Sequence, residues 1–265
     1  MSEDLIICRR EGAVAHLTLN DPRRLNALSD AMLARLGGVL DDLGADATCR
    51  VVVLGAEGKA FCAGHDLREM TAARQAEDGG AAYFADLFAR CSKVMTRIRT
   101  LPQPVIARVQ GVAAAAGCQL VASCDLAVAA DTARFGVNGV NIGLFCSTPM
   151  VALSRNLPRK QAFEMLVTGD FLTADRAAAL GLVNRVVPEG QLQEATADLA
   201  AQIAGKLGRA VRIGKRAFYD QLELPLDAAY ALTAAAMVEN MAEPDTAEGI
   251  AAFLAKRPPS YESQA

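Results

Sequence analysis

The sequence is poor in aromatic residues and in histidine. It has no tryptophan, only 5% aromatic residues in total, and two histidines, His16 and His65, among 265 residues. It contains no CxxC pair, no histidine cluster and no GxSxG motif. The first two commonly supply metal ligands, and the third carries the nucleophile of many hydrolases. The sequence therefore predicts no metal site and gives no support for a serine-type nucleophile.

Long apolar runs and clusters of like charge are also missing. No 18 consecutive residues are apolar, and the apolar run 5–8 is too short for the core of a signal peptide. Lysine and arginine number 27 against 30 acidic residues, and the charges are interspersed. We therefore expect no membrane and no nucleic-acid partner. The seven cysteines are an odd number and lie mostly in apolar runs, which favours free thiols in a cytoplasmic protein.

Hydrophobic residues make up 52% of the chain, and one stretch rich in small residues stands out. In Gly111–Asp125, GVAAAAGCQLVASCD, an apolar strand leads into a helix whose first turn is almost all alanine and glycine. The unpaired amides of a helix start and the positive end of its dipole attract negative charge. Small residues also let a helix pack closely on a sheet, so this stretch alone leaves both interpretations open.

A second stretch, Gly58–Leu67 with the sequence GKAFCAGHDL, has the same design. It follows the apolar run Val51–Leu54 and places a small-residue turn before a polar helix start. Two such turns facing each other would supply two backbone N–H donors to one carbonyl oxygen, which stabilises an enolate or a tetrahedral intermediate. Strand, turn and helix alternate along the chain, which predicts an α/β fold with a largely parallel sheet.

These two blocks and the later LVTGDFLTADRAAALGLVNRVVP resemble the crotonase (enoyl-CoA hydratase/isomerase) superfamily over essentially the whole chain. The resemblance implies a crotonase-like spiral of ββα units in residues 1–205. It also implies a C-terminal helical module in residues 206–265, through which members form homotrimers or hexamers. The expected ligand is an acyl-CoA thioester of fatty acid metabolism, with coenzyme A as part of the substrate and no separate cofactor.

The resemblance also implies roles for single residues. The two donors of the oxyanion hole fall on the backbone amides of His65 and Ala116. Arg23 and Arg24 are implied to lie along the nucleotide of coenzyme A. A surface arginine is often only solvated, so for each of them both interpretations stay open. The implied substrate-binding residues are Arg23, Arg24, Ala63, Gly64, Asp66, Leu67, Ala115, Asn138 and Lys256.

Two positions depart from the family pattern. Hydratases of the family move protons with two glutamates, and the aligned positions here hold Gln119 and Gly139. Neither residue takes or gives a proton at neutral pH. Because each lost acid–base group typically lowers the rate about 10²- to 10⁴-fold, we expect ordinary hydratase activity to be weak or absent. The segment Gly139–Pro149, GVNIGLFCSTP, is altered as well.

Few side chains are available to replace the glutamates. The His65 ring, the Asp66 carboxylate and the Cys146–Ser147 pair are the candidates, although an acid at a helix start more often supports the helix dipole. Two classes of function stay open. One is an acyl-CoA enzyme, a lyase or isomerase with altered chemistry, and the other is a non-catalytic acyl-CoA binding or regulatory protein.

Local signals predict several helix boundaries. Ser29 precedes apolar residues at three- and four-residue spacing and is the expected N-cap of a helix. The polar stretch from Glu69 to Gly80 suggests a mobile segment. From Glu189 the pattern is helical to the end, and Asp245-Thr-Ala-Glu248 resembles a capping box.

Overall fold

The computed structural model describes residues 4–261. Within this range the chain forms ten strands and eleven α-helices. The strands are β1 (Ile6–Glu11), β2 (Val14–Leu19), β3 (Val51–Ala56), β4 (Ala60–Cys62), β5 (Val105–Val109), β6 (Val112–Ala114), β7 (Leu126–Ala130), β8 (Arg134–Gly136), β9 (Phe171–Thr173) and β10 (Arg185–Val187). The helices are α1 (Asp30–Ala45), α2 (Leu67–Ala73), α3 (Ala81–Thr100), α4 (Ala116–Ser123), α5 (Pro149–Asn156), α6 (Arg159–Thr168), α7 (Ala174–Ala179), α8 (Leu192–Ala204), α9 (Gly208–Gln221), α10 (Leu226–Met241) and α11 (Pro244–Leu254).

The strands form two sheets that the chain visits in turn. The larger sheet has the order β1-β2-β3-β5-β7-β10 and is parallel except for the β1–β2 pair. The smaller sheet has the order β4-β6-β8-β9. A strand of the larger sheet is followed by a short strand of the smaller one and then by a helix in β3-β4-α2, β5-β6-α4 and β7-β8-α5. The structure therefore confirms the predicted spiral of ββα units.

Helices cover both faces of the larger sheet. The main core packs α1 and α3 on one side, where Leu36, Leu40 and Ile98 are buried beside Val52 and Leu54. On the other side, α8 buries its apolar face against the alternate residues of the same strands. Because β3 is buried on both faces, it reads in the sequence as one continuous apolar run.

Three local predictions have mixed outcomes. Ser29 caps α1, since its Oγ accepts a hydrogen bond from the Met32 amide at 3.1 Å. The capping box at Asp245 is wrong: α11 begins at Pro244, a residue favoured in the first helical turn, and its start has no side-chain cap bond. The first part of the stretch from Glu69 to Gly80 is helical, because α2 extends to Ala73, and the Glu69 carboxylate accepts from the Asp30 amide at 2.8 Å. The mobility of the stretch stays a prediction.

One buried ion pair attaches α9 to the core. The Lys215 Nζ atom lies 2.7 Å from the Asp125 carboxylate at the start of β7. The same carboxylate accepts from the Tyr219 hydroxyl at 2.8 Å and from the Val105 amide at 2.6 Å. Burial lowers the pKa of Lys215, and Asp125 opposes that shift. This cluster fixes the beginning of the C-terminal helices, while the boundary at residues 205 and 206 stays a prediction.

Candidate functional site

The two small-residue turns lie against each other. A Cβ atom added to Gly64 would stand 3.0 Å from the Ala115 Cβ and 3.4 Å from the Ala116 amide nitrogen. A Cβ added to Gly117 would stand 2.1 Å from the Cys62 carbonyl oxygen. Only glycine permits this approach, and Gly64 also has a φ of +95°, which other residues rarely adopt. Close packing of helix and sheet is therefore one reason for the small residues.

The second reason for the small residues is that they leave backbone amides of the two turns open. Ala116 is the first residue of α4, and its amide donates no hydrogen bond to the residues that the structure describes. The same holds for the amide of His65, although its neighbour Gly64 accepts from the Leu28 amide at 2.8 Å. A helix start leaves its first amides without partners inside the helix. The two turns thus hold two donors that are free for a ligand.

The conformation of Ala115 sets the entry into α4. It has φ +48° and ψ −116°, a combination that a residue with a Cβ atom rarely adopts. Its amide donates to the Gly136 carbonyl at 2.8 Å, and its carbonyl accepts from the Gln119 amide at 3.0 Å. Strain of this kind typically costs about 1–3 kcal/mol and clusters at functional sites.

A cavity of about 290 Å³ lies in front of the two turns. Ligand pockets in proteins typically measure about 300–1,000 Å³, so this one is small. Seven of the predicted site residues line it, and they come from both turns and from the segment after β8. Those seven are Ala63, His65, Leu67, Ala115, Ala116, Asn138 and Gly139.

Other predicted residues lie outside the cavity lining. Gln119 lies on α4 and is buried, and its Oε1 atom has no hydrogen-bond partner among residues 4–261. Asp66 is 6% exposed and caps α2, accepting from the Arg68 amide at 2.8 Å and from the Arg24 guanidinium at 3.2 Å. Arg23 and Lys256 are solvent-exposed.

The His65 ring packs against a neighbouring aromatic ring, and its nitrogens are not exposed to solvent. It contacts the Phe88 ring edge-on with centroids 5.7 Å apart, and both ring nitrogens are buried without a hydrogen-bond partner in the described part of the chain. Burial is the main cause that lowers the pKa of the His65 imidazole. The imidazole is therefore neutral at pH 7, and its nitrogens are shielded from solvent.

Gly139 is enclosed by the segment that follows it. A Cβ atom there would stand 2.3 Å from the Leu144 carbonyl oxygen and 2.8 Å from the Cys146 sulfur. Burial raises the pKa of the Cys146 thiol, which keeps it protonated at neutral pH. The neighbouring Ser147 hydroxyl donates to the Phe145 carbonyl at 3.5 Å. Neither side chain is set up as a nucleophile by a base.

No charged side chain belongs to this lining. The side chains that line the cavity within residues 4–261 include no aspartate, glutamate, lysine, arginine or tyrosine. In the same range, no group of three or more His, Cys, Asp or Glu residues is suited to a metal ion. The arrangement can donate two backbone hydrogen bonds to an oxygen and surround an apolar group, but no carboxylate or amine is at hand to move a proton.

Comparison with known proteins identifies the family. Residues 9–264 match the family model for enoyl-CoA hydratase/isomerase. The chain belongs to this family. It is 49% identical over 257 residues to the human protein named "Enoyl-CoA hydratase domain-containing protein 3, mitochondrial". The matched region covers 97% of this chain and 83% of the human protein.

Solved structures of the enoyl-CoA hydratase/isomerase family have the same fold. A Mycobacterium smegmatis enoyl-CoA hydratase superposes with a TM-score of 0.94 and 53% identity, covering 98% of this chain and 99% of that one. The human domain-containing protein 3 superposes with a TM-score of 0.92 and 47% identity, covering 97% and 100%. Both results confirm the predicted crotonase fold.

One prediction is corrected by the same comparison. The free thiols and the absence of a signal peptide led us to expect a cytoplasmic protein. Four vertebrate relatives, from human, rat, mouse and Xenopus, are named mitochondrial, so the cytoplasmic prediction is wrong. Separately, no helix of the described residues has the length and hydropathy of a membrane span.

Sequence reasoning missed a large part of the lining. Met70 and Phe88 lie on α2 and α3, where an apolar residue reads simply as core. The other lining residues that were missed lie in the stretch Gly139–Pro149, and its departure from the family pattern was the only sequence signal for them. These are Ile142, Leu144, Phe145, Thr148 and Pro149.

Proposed function

We propose that this protein binds an acyl-CoA and polarises the thioester carbonyl between the backbone amides of His65 and Ala116. The observation that carries the proposal is that these two amides have no acceptor in the described residues, lie on adjoining turns and line one cavity. The dipole of α4 adds positive potential at the same place. In enzymes, one preorganised donor of this type is typically worth about 10²–10³ in rate.

The nucleotide part of coenzyme A requires cationic groups outside the cavity. Arg23 is exposed and forms no ion pair with residues 4–261, so its charge is available to a phosphate. Arg24 is held by Asp66 at 3.2 Å and by Asp21 at 3.8 Å, which leaves it 52% exposed but largely neutralised. Lys256 is exposed beyond the end of α11. We propose Arg23 as the main phosphate contact of these three.

Ordinary hydration is not part of the proposal. Gln119 does not line the cavity and Gly139 has no room for a carboxylate, so two proton-transfer groups are lacking. The uncharged lining specifically favours a second candidate function, an acyl-CoA binding protein without turnover. No carboxylate or amine of this lining could move a proton in an isomerase reaction.

Self-association is proposed for the C-terminal helices. Large apolar side chains on α10 and α11 are exposed in the single chain, as with Phe253 at 82%. Large exposed apolar surfaces on soluble proteins commonly mark interaction sites. We therefore retain the homotrimer or hexamer as a proposal, to be measured by light scattering. The exposed side chains are Leu226, Tyr230, Met237, Val238, Met241, Ile250, Phe253 and Leu254.

Two assays on the intact protein test the proposal. Calorimetry with acetyl-, crotonyl- and hexanoyl-CoA should show saturable binding, while hydration of crotonyl-CoA followed by mass spectrometry should stay near background. A lack of binding to every thioester would refute the acyl-CoA proposal. Turnover in the usual enzyme range, about 1–10³ per second, would refute the loss of hydratase chemistry.

A further inference from the structure

A second cavity lies where the C-terminal end of α3 meets α9 and α10. Its volume is about 450 Å³, within the range of about 300–1,000 Å³ that is typical of ligand pockets. It shares no lining residue with the cavity in front of the two turns. Two of its lining residues, Asp220 and Glu239, are acidic, whereas five are basic. We call it the basic cavity, and its five basic residues are Arg99, Arg209, Arg212, Lys215 and Arg216.

Three of the basic side chains form ion pairs with carboxylates. These pairs are Lys215 with Asp125, Arg209 with Glu243 and Arg216 with Glu239. Lys215 is buried and also donates to the carbonyls of Ile98 and Gln103, at 3.1 and 2.9 Å, so it serves the negative end of α3. The side chains of Arg209 and Arg216 are 58% and 57% exposed, and ion pairs at such exposed positions are weak.

The other two basic side chains have no carboxylate partner among residues 4–261. Arg99 donates to the Tyr219 carbonyl at 3.0 Å, and its guanidinium carbon lies 5.0 Å from the centroid of the Tyr219 ring. Arg212 donates from Nη2 to the Ala47 and Cys49 carbonyls, and its Nε atom is buried without a hydrogen-bond partner in the same range. Carbonyl groups orient a guanidinium but do not neutralise it, so two fixed positive charges line one cavity.

We propose that the basic cavity binds the diphosphate group of a small soluble ligand, at a site separate from the acyl-CoA cavity. Guanidinium groups match the oxygens of phosphate with paired hydrogen bonds, and the two arginines without a carboxylate partner provide one such group for each phosphate. Leu101, Pro102 and Ile213 also line the cavity and can contact an organic part of the ligand.

The ligand would connect two parts of the chain. Arg99 belongs to α3, which packs in the main core, and Arg212 belongs to α9, the first of the last three helices. A diphosphate held by both arginines stabilises the contact between α9 and the core, because a ligand that binds only the folded state raises its stability.

Charge variants of the full-length protein test this inference. Calorimetry at constant ionic strength measures the binding of inorganic pyrophosphate and of ADP, and both should bind saturably. Arg99→Gln and Arg212→Gln should each weaken pyrophosphate about tenfold or more. Glu239→Gln should tighten it several-fold, because the variant removes a negative charge from the cavity and releases Arg216. A loss of folding could not produce that gain. The matched control is Arg185→Gln, since Arg185 is exposed on β10 and lies outside the lining.

Four results would overturn the inference. The first is that pyrophosphate does not bind the native protein, whether or not ADP does. The second is that Arg185→Gln weakens pyrophosphate as much as Arg99→Gln, which indicates general attraction of anions. The third is that Arg23→Ala abolishes binding while Arg99→Gln retains it, which places the anion at the proposed nucleotide contact of coenzyme A. The fourth is that Arg99→Gln and Arg212→Gln change only the oligomeric state, so that a second copy covers the cavity.

None of these results bears on acyl-CoA binding, because the two cavities have separate linings. Thermal unfolding of each variant confirms that it is folded. In the native protein, pyrophosphate should also raise the unfolding temperature, and Arg99→Gln should reduce that rise.

Discussion

The Leu144 carbonyl oxygen stands 2.3 Å from the place that a Cβ atom of residue 139 would occupy. No side chain fits at that distance, so Gly139 is a packing requirement in this protein. We predict that Gly139→Ala lowers the free energy of unfolding by about 1–3 kcal/mol, as overpacking does. Urea unfolding measures it, with Gly190→Ala as the control, because a Cβ there meets nothing within 4 Å. Equal stability of the two variants would contradict the account.

The same contact bears on attempts to restore hydration. The double variant Gln119→Glu, Gly139→Glu supplies both carboxylates. The second would displace Leu144 and Cys146, and the first is buried outside the cavity lining. We expect no gain in crotonyl-CoA hydration over the native protein. A gain of 10²-fold or more in a folded variant would show that both positions face the substrate.

The strained backbone of Ala115 gives a prediction about stability. Its φ of +48° is easier for glycine, so Ala115→Gly relieves strain and offsets the entropy that glycine adds to the unfolded chain. We expect the variant to be as stable as the native protein or more stable by about 1 kcal/mol. The control is Ala113→Gly on β6, where the backbone φ is negative and the change should destabilise. If both variants lose the same free energy of unfolding, the backbone of Ala115 is not strained.

The buried ion pair between Lys215 and Asp125 gives another prediction about stability. The side chains of Lys215 and Asp125 are 7% and 13% exposed. Lys215→Met leaves the Asp125 charge without its cationic partner and should cost about 3–5 kcal/mol. Arg209→Met removes a surface pair with Glu243 and should cost about 0–1 kcal/mol. Urea unfolding compares the two, and similar losses would show that Lys215 does not anchor the C-terminal helices.

The lowered pKa of His65 gives a prediction about pH. The unfolded state, with an ordinary pKa near 6.5, binds the proton more readily than the folded state. The stability that this difference provides is present above pH 6.5 and is lost as the pH falls through the lower folded pKa. The native protein should therefore lose stability between pH 7.5 and 5 relative to His65→Gln.

Chemical denaturation at the two pH values provides the measurement. His16→Gln is the control, since His16 is the only other histidine of the chain. A native protein that loses no more stability on acidification than His65→Gln would show that the His65 ring is not buried as described.

The two small-residue turns were easier to recognise in the sequence than the residues that line the cavity around them. The small-residue turns around His65 and Ala116 were recognisable because glycine and alanine before a helix have few uses. Phe88 and Phe145 were not, because an apolar residue that lines a cavity looks in sequence like one that fills a core. Arg24 reads as a free cation, and only the fold brings it to Asp66, 42 positions away.

Long-range contacts explain the remaining differences. The alignment placed Gln119 in the site, but its side chain is buried outside the lining, since residue spacing on α4 does not report what packs against it. The absence of a carboxylate at Gly139 was visible in the sequence. Only the structure shows that Leu144 and Cys146 fill the space beside Gly139.

The thioester carbonyl stretch of bound crotonyl-CoA tests the central claim most directly, because polarisation is visible without turnover. Difference infrared spectroscopy compares the native protein with His65→Ala and His65→Pro, after calorimetry has confirmed that each binds CoA. We predict a shift to lower frequency in the native protein and in His65→Ala, which keeps the amide. The shift should be lost in His65→Pro, which has no amide hydrogen. An unshifted carbonyl in the native complex, or equal loss in the alanine variant, would contradict backbone polarisation by residue 65.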